Sequence, residues 1–392
     1  MEKHNITMLT EFLLVGITDC PELQPPLFGL FLIIYISATV GNLGMIILTK
    51  VAPGCRPQYF FIVPGSSVTI KCIKCITYRT EKHNFTPVNE FILMGITDRP
   101  ELQAPLFVLF LMIYAISVVD NLGMIILTMV DCRLQTPIYF FLRHLALTDL
   151  GYSTAVGPKM LANFVVNQNT ISYNFCATQL AFFLLFIGSE LFILSAMSYD
   201  RYVAICKPLL YTVIMSQRVC LVLVAIPYLY NIFVSLLVTI KIFTLSFCGY
   251  NVIKHFFCDC IPLLHLLCSD THEIEVIILI LATFDLISSL LLVLVSYLLI
   301  LIAILRMKST EGRFKAFSTC GSHLAVVTGL YGSLILIYVQ PKSRHYTDTD
   351  KVSSIFYTHI IPILNPLIYS LRNKDVKYAL QRVLKKICNV FS

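Results

Sequence analysis

Long apolar runs, broken by short polar, basic or cysteine-bearing segments, fill most of this 392-residue chain. A helix needs about 20 apolar residues to cross the roughly 30 Å hydrocarbon of a bilayer, at about 1.5 Å per residue. Seven runs of that length predict spanning helices at residues 106–129, 138–161, 177–205, 219–240, 274–305, 316–338 and 352–371. Another apolar run, 27–49, precedes them. The expected fold class is an all-α membrane protein: a seven-transmembrane helix bundle preceded by an extra hydrophobic helix segment.

That extra segment belongs to a partial internal copy. Glu2-Lys3-His4-Asn5 returns as Glu81-Lys82-His83-Asn84, and Gly16-Ile17-Thr18-Asp19 as Gly95-Ile96-Thr97-Asp98. Asn42-Leu43-Gly44-Met45-Ile46-Ile47-Leu48-Thr49 returns as Asn121-Leu122-Gly123-Met124-Ile125-Ile126-Leu127-Thr128, at the same offset. Repeat architectures need several stacked copies, so a single partial one is a duplicated head rather than a solenoid. Residues 51–80 hold Pro53-Gly54, Pro64-Gly65 and a basic run with Cys72 and Cys75, without sustained periodicity, and read as a linker. Three parts follow: a partial copy at 1–50, a linker at 51–80 and one complete bundle at 81–392.

Composition agrees with a polytopic membrane protein. The chain is 57% hydrophobic and 13% charged, with a mean hydropathy of +0.80. The net charge of +7 needs no nucleic acid partner, because Lys and Arg gather in cytoplasmic loops. Arg133, Arg201, Lys207, Arg218, Arg306, Lys308, Arg313, Lys315 and the basic tail from Arg372 to Lys386 fall on one side of the seven spans. The other side mixes signs, as in Lys342, Arg344, Asp348 and Asp350. The tail is therefore expected inside and the start of 81–392 outside. Asn84-Phe85-Thr86 is then a glycosylation acceptor, as Asn5-Ile6-Thr7 is if exposed. A spanning helix at 27–49 would upset this arrangement, since an even number of spans puts both chain ends on one side. The 14 cysteines lack zinc spacing, and no metal or other cofactor is expected. No phosphate-cradling Gly loop, nucleophile elbow or His-Glu-x-x-His occurs, so no enzyme is read.

Acidic and polar groups inside apolar runs are costly and usually functional or paired. Asp149 and Glu190 lie deep in the second and third spans. They read either as neutral acids bonded to Asn121 and Asn365 or as a proton or cation site coupled to activation. Asp285, in the fifth span, reads as a ligand group or as an acid bonded to Ser288 or Ser289. Asp200-Arg201 closes the third span, as a switch that trades partners at the cytoplasmic face or as a pair that marks where the helix leaves the bilayer. Asp120 stands near mid-membrane in the first span, where an acid costs about 2.5–3.5 kcal/mol on insertion scales.

The string Met197-Ser198-Tyr199-Asp200-Arg201-Tyr202-Val203-Ala204-Ile205-Cys206 resembles the inner end of the third helix in olfactory receptors, a branch of the rhodopsin-like G-protein-coupled receptors. That family usually has Ala where Ser198 stands. Thr136-Pro137-Ile138-Tyr139-Phe140-Phe141-Leu142, Lys315 to His323, Ser296-Tyr297 and Pro362 to Asn373 match the same family, as does the absence of Trp. Asp120 departs from it, where the family has Gly, as Gly41 is in the partial copy. The likeness covers essentially all of 81–392, a seven-transmembrane olfactory receptor domain.

The resemblance implies an odorant receptor of the plasma membrane. A small volatile molecule would bind in the bundle and activate a stimulatory heterotrimeric G protein, with membrane lipid as the surroundings. Coupling would rest on Asp200, Arg201, Tyr202, Tyr297, Lys315 and Tyr369. The ligand would sit against Phe183, Leu184, Ile187, Asp285 and Tyr331, and the buried polar set would be Asn121, Asp149, Glu190 and Asn365. The outer loop at 241–273 carries Cys248, Cys258, Cys260 and Cys268; the family pattern pairs Cys176 with Cys258 and Cys248 with Cys268, leaving Cys260 free. Two other readings stand beside this one: a non-signalling product of a fused or aberrant receptor gene, and a transporter or channel, which would want inverted halves or interrupted helices.

Overall fold

The computed structural model describes residues 89–97, 99–166, 169–247, 251–338, 348–372, 376 and 378–382. The duplicated head, the linker, Asn5, Asn84 and Cys248 lie outside them, as do the side chains of Lys315 and Tyr369. Among the described residues the long helices are α1 (Pro100–Val130), α2 (Pro137–Val165), α3 (Tyr173–Cys206), α4 (Gln217–Thr244), α5 (His272–Arg306) and α6 (Thr310–Tyr338). A composite α7 follows: Asp348–Ile355, a π-helical turn at Phe356–Ile360, and Ile361–Arg372.

Each run expected to span lies inside one of these helices. α1, α3, α4 and α5 are long and apolar enough to cross a bilayer by length and composition. α2 and α6 have 29 residues each but carry more polar positions, and they pack within the bundle. The helices start where the sequence supplies a start. Pro100 and Pro137 stand at first-turn positions, where a missing N–H is no loss. Ser172 caps α3 by accepting from the Phe175 N–H at 3.4 Å. α1 begins six residues before the apolar run does, because Pro100 and Glu101 supply a helix start ahead of that run.

α3 is the axis of the bundle and packs against α2, α4 and α5. α1 lies against α2 and α7, and α6 against α5 and α7. Close approach of α4 to α3 depends on Gly188, where an added Cβ would come within 2.1 Å of the Asn231 Oδ1. At the inner end Arg143 of α2 donates to the Thr128 carbonyl at 2.6 Å, filling an acceptor that the end of α1 leaves open.

The outer end carries a small sheet. β1 (Glu90–Leu93) pairs antiparallel with β2 (Thr170–Ser172) and parallel with β3 (Val252–Ile253), in the order β2-β1-β3. Phe91 and Leu93 point inward and are fully buried, with Ile171 and Ile253 beside them. The lead-in to α1 is thus woven between two outer loops. Strands of two to four residues leave too little alternation to be read from a sequence.

Candidate functional site

The outer mouth of the bundle is built around α3. Cys176, at its outer end, is joined to Cys258 by a disulfide with Cα atoms 5.6 Å apart. One turn deeper, Gln179 donates to the Ala155 carbonyl at 2.9 Å and accepts from the Cys258 N–H at 2.9 Å. Loop, α2 and α3 are therefore tied at one point, through a residue the sequence reading passed over. Cys268 is also disulfide-bonded, whereas Cys260 is a buried free thiol. Asp259 accepts from the Cys260 N–H at 2.7 Å, and burial pushes its carboxyl up to about 6. Burial pushes His255 of the same loop down to about 3, so it is neutral at physiological pH.

Beneath this loop, Phe183 meets Phe257 at 5.1 Å and Tyr357 of α7 at 6.0 Å between ring centroids. The π-helical turn in α7 buries Tyr357, Thr358 and His359 together; such turns widen a helix locally and gather at functional sites. Leu184 and Ile187 follow Phe183 on α3, both partly buried. Deeper still, the Tyr331 hydroxyl of α6 donates to the Leu191 carbonyl at 3.2 Å. Apolar walls with a few polar handles are the usual lining of a small-molecule site.

Asp285 is oriented differently from the sequence reading. Its carboxyl accepts from the Tyr230 hydroxyl of α4 at 2.8 Å, with Phe192 and Phe284 packed on the Tyr230 ring. Ser288 and Ser289 do not reach the carboxyl; they donate to the Asp285 backbone carbonyl at 3.5 and 2.5 Å. A serine three or four residues along a helix finds the carbonyl of its own preceding turn more readily than a side chain above it.

At mid-depth Asp149, Glu190 and Asn365 come together. The Asn365 Nδ2 lies 3.0 Å from both Asp149 oxygens and 3.0 Å from the Glu190 Oε1, and Tyr152 donates to Asp149 at 3.2 Å. Two carboxyls thus share one amide in a site sealed from water. Among the described residues the Glu190 Oε2 and Asn365 Oδ1 have no hydrogen-bond partner. Asn121, expected to serve the acids, does not. Its Nδ2 donates to the Ser117 carbonyl at 2.9 Å and to the Pro362 carbonyl at 2.8 Å. Pro366, a turn beyond Pro362, cannot donate to that carbonyl, which frees it for another donor. The α1 asparagine therefore ties down the bend in α7.

At the inner end, Arg201 Nη2 lies 3.6 Å from Asp200 Oδ2, an ion pair too long for a hydrogen bond. The other Asp200 oxygen accepts from the Tyr211 hydroxyl at 2.8 Å, from the short helix Tyr211–Ile214 in the following loop. Tyr297 of α5 bonds His323 Nδ1 of α6 at 2.8 Å, and His323 Nε2 meets the Leu194 carbonyl of α3 at 3.1 Å. One histidine thus joins three helices between Tyr331 and Arg201. The sequence motif contained His323 but not this role, because the signal was family likeness rather than charge. Tyr202 packs beside Tyr297, Ile300 and Cys320. On the same face, Arg382 of the tail bonds Asp131 through Nε at 3.2 Å and through Nη2, and this bond holds the Asp131 carboxyl below its ordinary range.

The comparisons with known proteins agree with this geometry. A family model described as olfactory receptor matches residues 110–387. Human olfactory receptor 8K3 is 77% identical over 311 residues, which cover 79% of this chain and 99% of the relative. Mouse olfactory receptor 8U3 is 60% identical over 303 residues, 77% of this chain and 95% of the relative. Among solved structures, squid rhodopsin superimposes with a TM-score of 0.57 at 16% identity, over 72% of this chain and 81% of that one, a likeness of fold alone.

Proposed function

The chain belongs to the olfactory receptor family of odorant-sensing G-protein-coupled receptors, and from that premise we propose that it binds a small, mostly apolar volatile molecule and activates a stimulatory heterotrimeric G protein. It is a multi-pass membrane receptor rather than an enzyme. The site we assign lies beneath the outer loop, against Phe183, Leu184, Ile187 and Tyr331, with Asp285 at its α4 side. The coupling face we assign is Asp200, Arg201, Tyr202 and Tyr297, and by family likeness the assignment extends to Lys315 and Tyr369. The surrounding membrane is the plasma membrane, with the tail cytoplasmic.

The observation that carries this reading is the hydrogen-bonded column linking α3 to α6. Tyr331 holds Leu191 and His323 holds Leu194, about 12 Å apart along α6 at 1.5 Å per residue. A ligand wedged beside Tyr331 that prefers α6 displaced weakens both bonds and frees the face around Arg201. A ligand shifts such an equilibrium only by its differential affinity for the two arrangements.

The receptor unit in this reading is 81–392, with 1–50 a partial copy and 51–80 a linker. It is supported by relatives whose nearly full length is met by about four-fifths of this chain. A fused neighbouring gene explains the head better than a working eighth helix does. A head spanning with the basic loops held inside would place Lys71, Lys74 and Arg79 outside, against the charge rule.

The test expresses residues 81–392 with a new start Met beside the full chain, in cells carrying a cyclic-AMP reporter, against a panel of volatiles. Both forms should reach the surface and answer the same compounds with similar midpoints. Silence from both across the panel would favour the aberrant, non-signalling product. A full chain that signals while the short form fails would make the head a working part.

A further inference from the structure

Asp120 has no hydrogen-bond or ion-pair partner among the described residues. It stands ten residues before the end of α1, about 15 Å from the inner end at 1.5 Å per residue, at mid-bilayer depth. It is half-buried, at the edge of the buried stripe formed by Ser117, Asn121, Met124 and Thr128. The strip beside it faces lipid: Ile116 is 46% exposed and Val119 67%. Gly123, one turn inward of Asp120 on that side, has nothing within 4 Å of where a Cβ would be. At 100° per residue, Ile116, Asp120 and Gly123 fall within about 60° of one another.

We propose that this strip is a self-association surface, on which α1 of one receptor packs against α1 of a second copy through paired Asp120 side chains. Two copies in one membrane share orientation, so a two-fold axis along the membrane normal brings the same residues together at the same depth. In its acid form a carboxyl carries one donor and one acceptor. It is therefore complementary to itself at that depth, and the pair satisfies both groups without a foreign cation. Gly123 lets the backbones approach, and small residues beside an interhelical hydrogen bond are what holds helices together in lipid. Asn121, the next residue, bonds the Pro362 carbonyl at the bend of α7, so the surface lies one residue from a tether to that hinge.

The experiment is single-molecule subunit counting on the purified full chain, reconstituted alone in liposomes at low density. The parent chain should show dimers. Asp120→Gly and Gly123→Leu should each lower the dimer fraction about fivefold or more. Asp120→Asn keeps a donor and an acceptor and should retain it. Gly123→Leu fills open space outside the bundle, so its effect does not come from misfolding. Monomers only in the parent chain, dimers that survive both disruptive changes, or loss of dimers in Asp120→Asn would each overturn the proposal. Dimers that form only when membrane extract is added would overturn it too, pointing to a foreign helix instead of a second copy.

Discussion

Replacing Arg201 by Ala is expected to bring odorant-driven cyclic-AMP signalling to background while surface delivery stays near that of the parent chain. Among the described residues Arg201 is held only by a 3.6 Å contact to Asp200, with its side chain 19% exposed. Asp200 is almost fully buried, and its other oxygen accepts from the Tyr211 hydroxyl rather than from Arg201. Loss of the guanidinium therefore removes little that folding needs. It removes a fixed cation that can leave its carboxylate for a partner's acceptors. Truncating one member of a desolvated charged contact costs about 2–5 kcal/mol, roughly 30-fold to several thousand-fold in an equilibrium. Arg201→Lys should fall between, since it keeps the charge and loses the planar fork. Surface labelling and a reporter dose–response read both quantities in the same cells. Undiminished signalling by the Ala variant would remove Arg201 from the coupling face.

Cys258→Ser is expected to have the other large effect, and of the opposite kind. It should lower surface delivery at least tenfold, where Arg201→Ala should not. The Cys176–Cys258 bond closes a loop of 82 residues, and in the chain-entropy account a loop of that size contributes about 4.5 kcal/mol. The Cys176 thiol and the serine hydroxyl that replaces Cys258 would be left fully buried at the point where Gln179 and the outer sheet converge. Peptide mapping without reduction should recover the Cys176 and Cys258 peptides joined. Cys260→Ser serves as the control, because Cys260 is free and its N–H bond to Asp259 survives the change. Near-normal delivery of Cys258→Ser would mean that the loop is held by the sheet and its apolar contacts alone.

The two expectations differ because the two regions are held differently, and the same difference governs how legible each was. The spanning helices could be read from the chain because lipid demands about 20 apolar residues in a row and full internal hydrogen bonding. Both constraints act locally. The outer sheet was not legible. β1 is four residues of alternation, and it exists only because two strands, both more than 70 residues later in the chain, supply its partners. The acids divide along the same line. That Asp149 and Glu190 needed a partner follows from any apolar run that contains them. That one Asn365 amide serves both, while Asn121 turns to Pro362, follows from where α7 bends.

Sequence by itself determined the number and order of the helices, the side on which the basic loops gather, the family likeness of Met197 to Cys206, and the duplication in the head. Each is a property of residues close together in the chain, or of a pattern that can be compared with itself. Tertiary structure alone decided which donor meets which acceptor: Tyr230 rather than a serine for the Asp285 carboxyl, His323 as the joint of α3, α5 and α6, and Gln179 as the anchor of the outer loop. These pairings join residues 26 to 129 positions apart. A few ångströms of helix packing select among several chemically equivalent partners, and no local pattern encodes that choice.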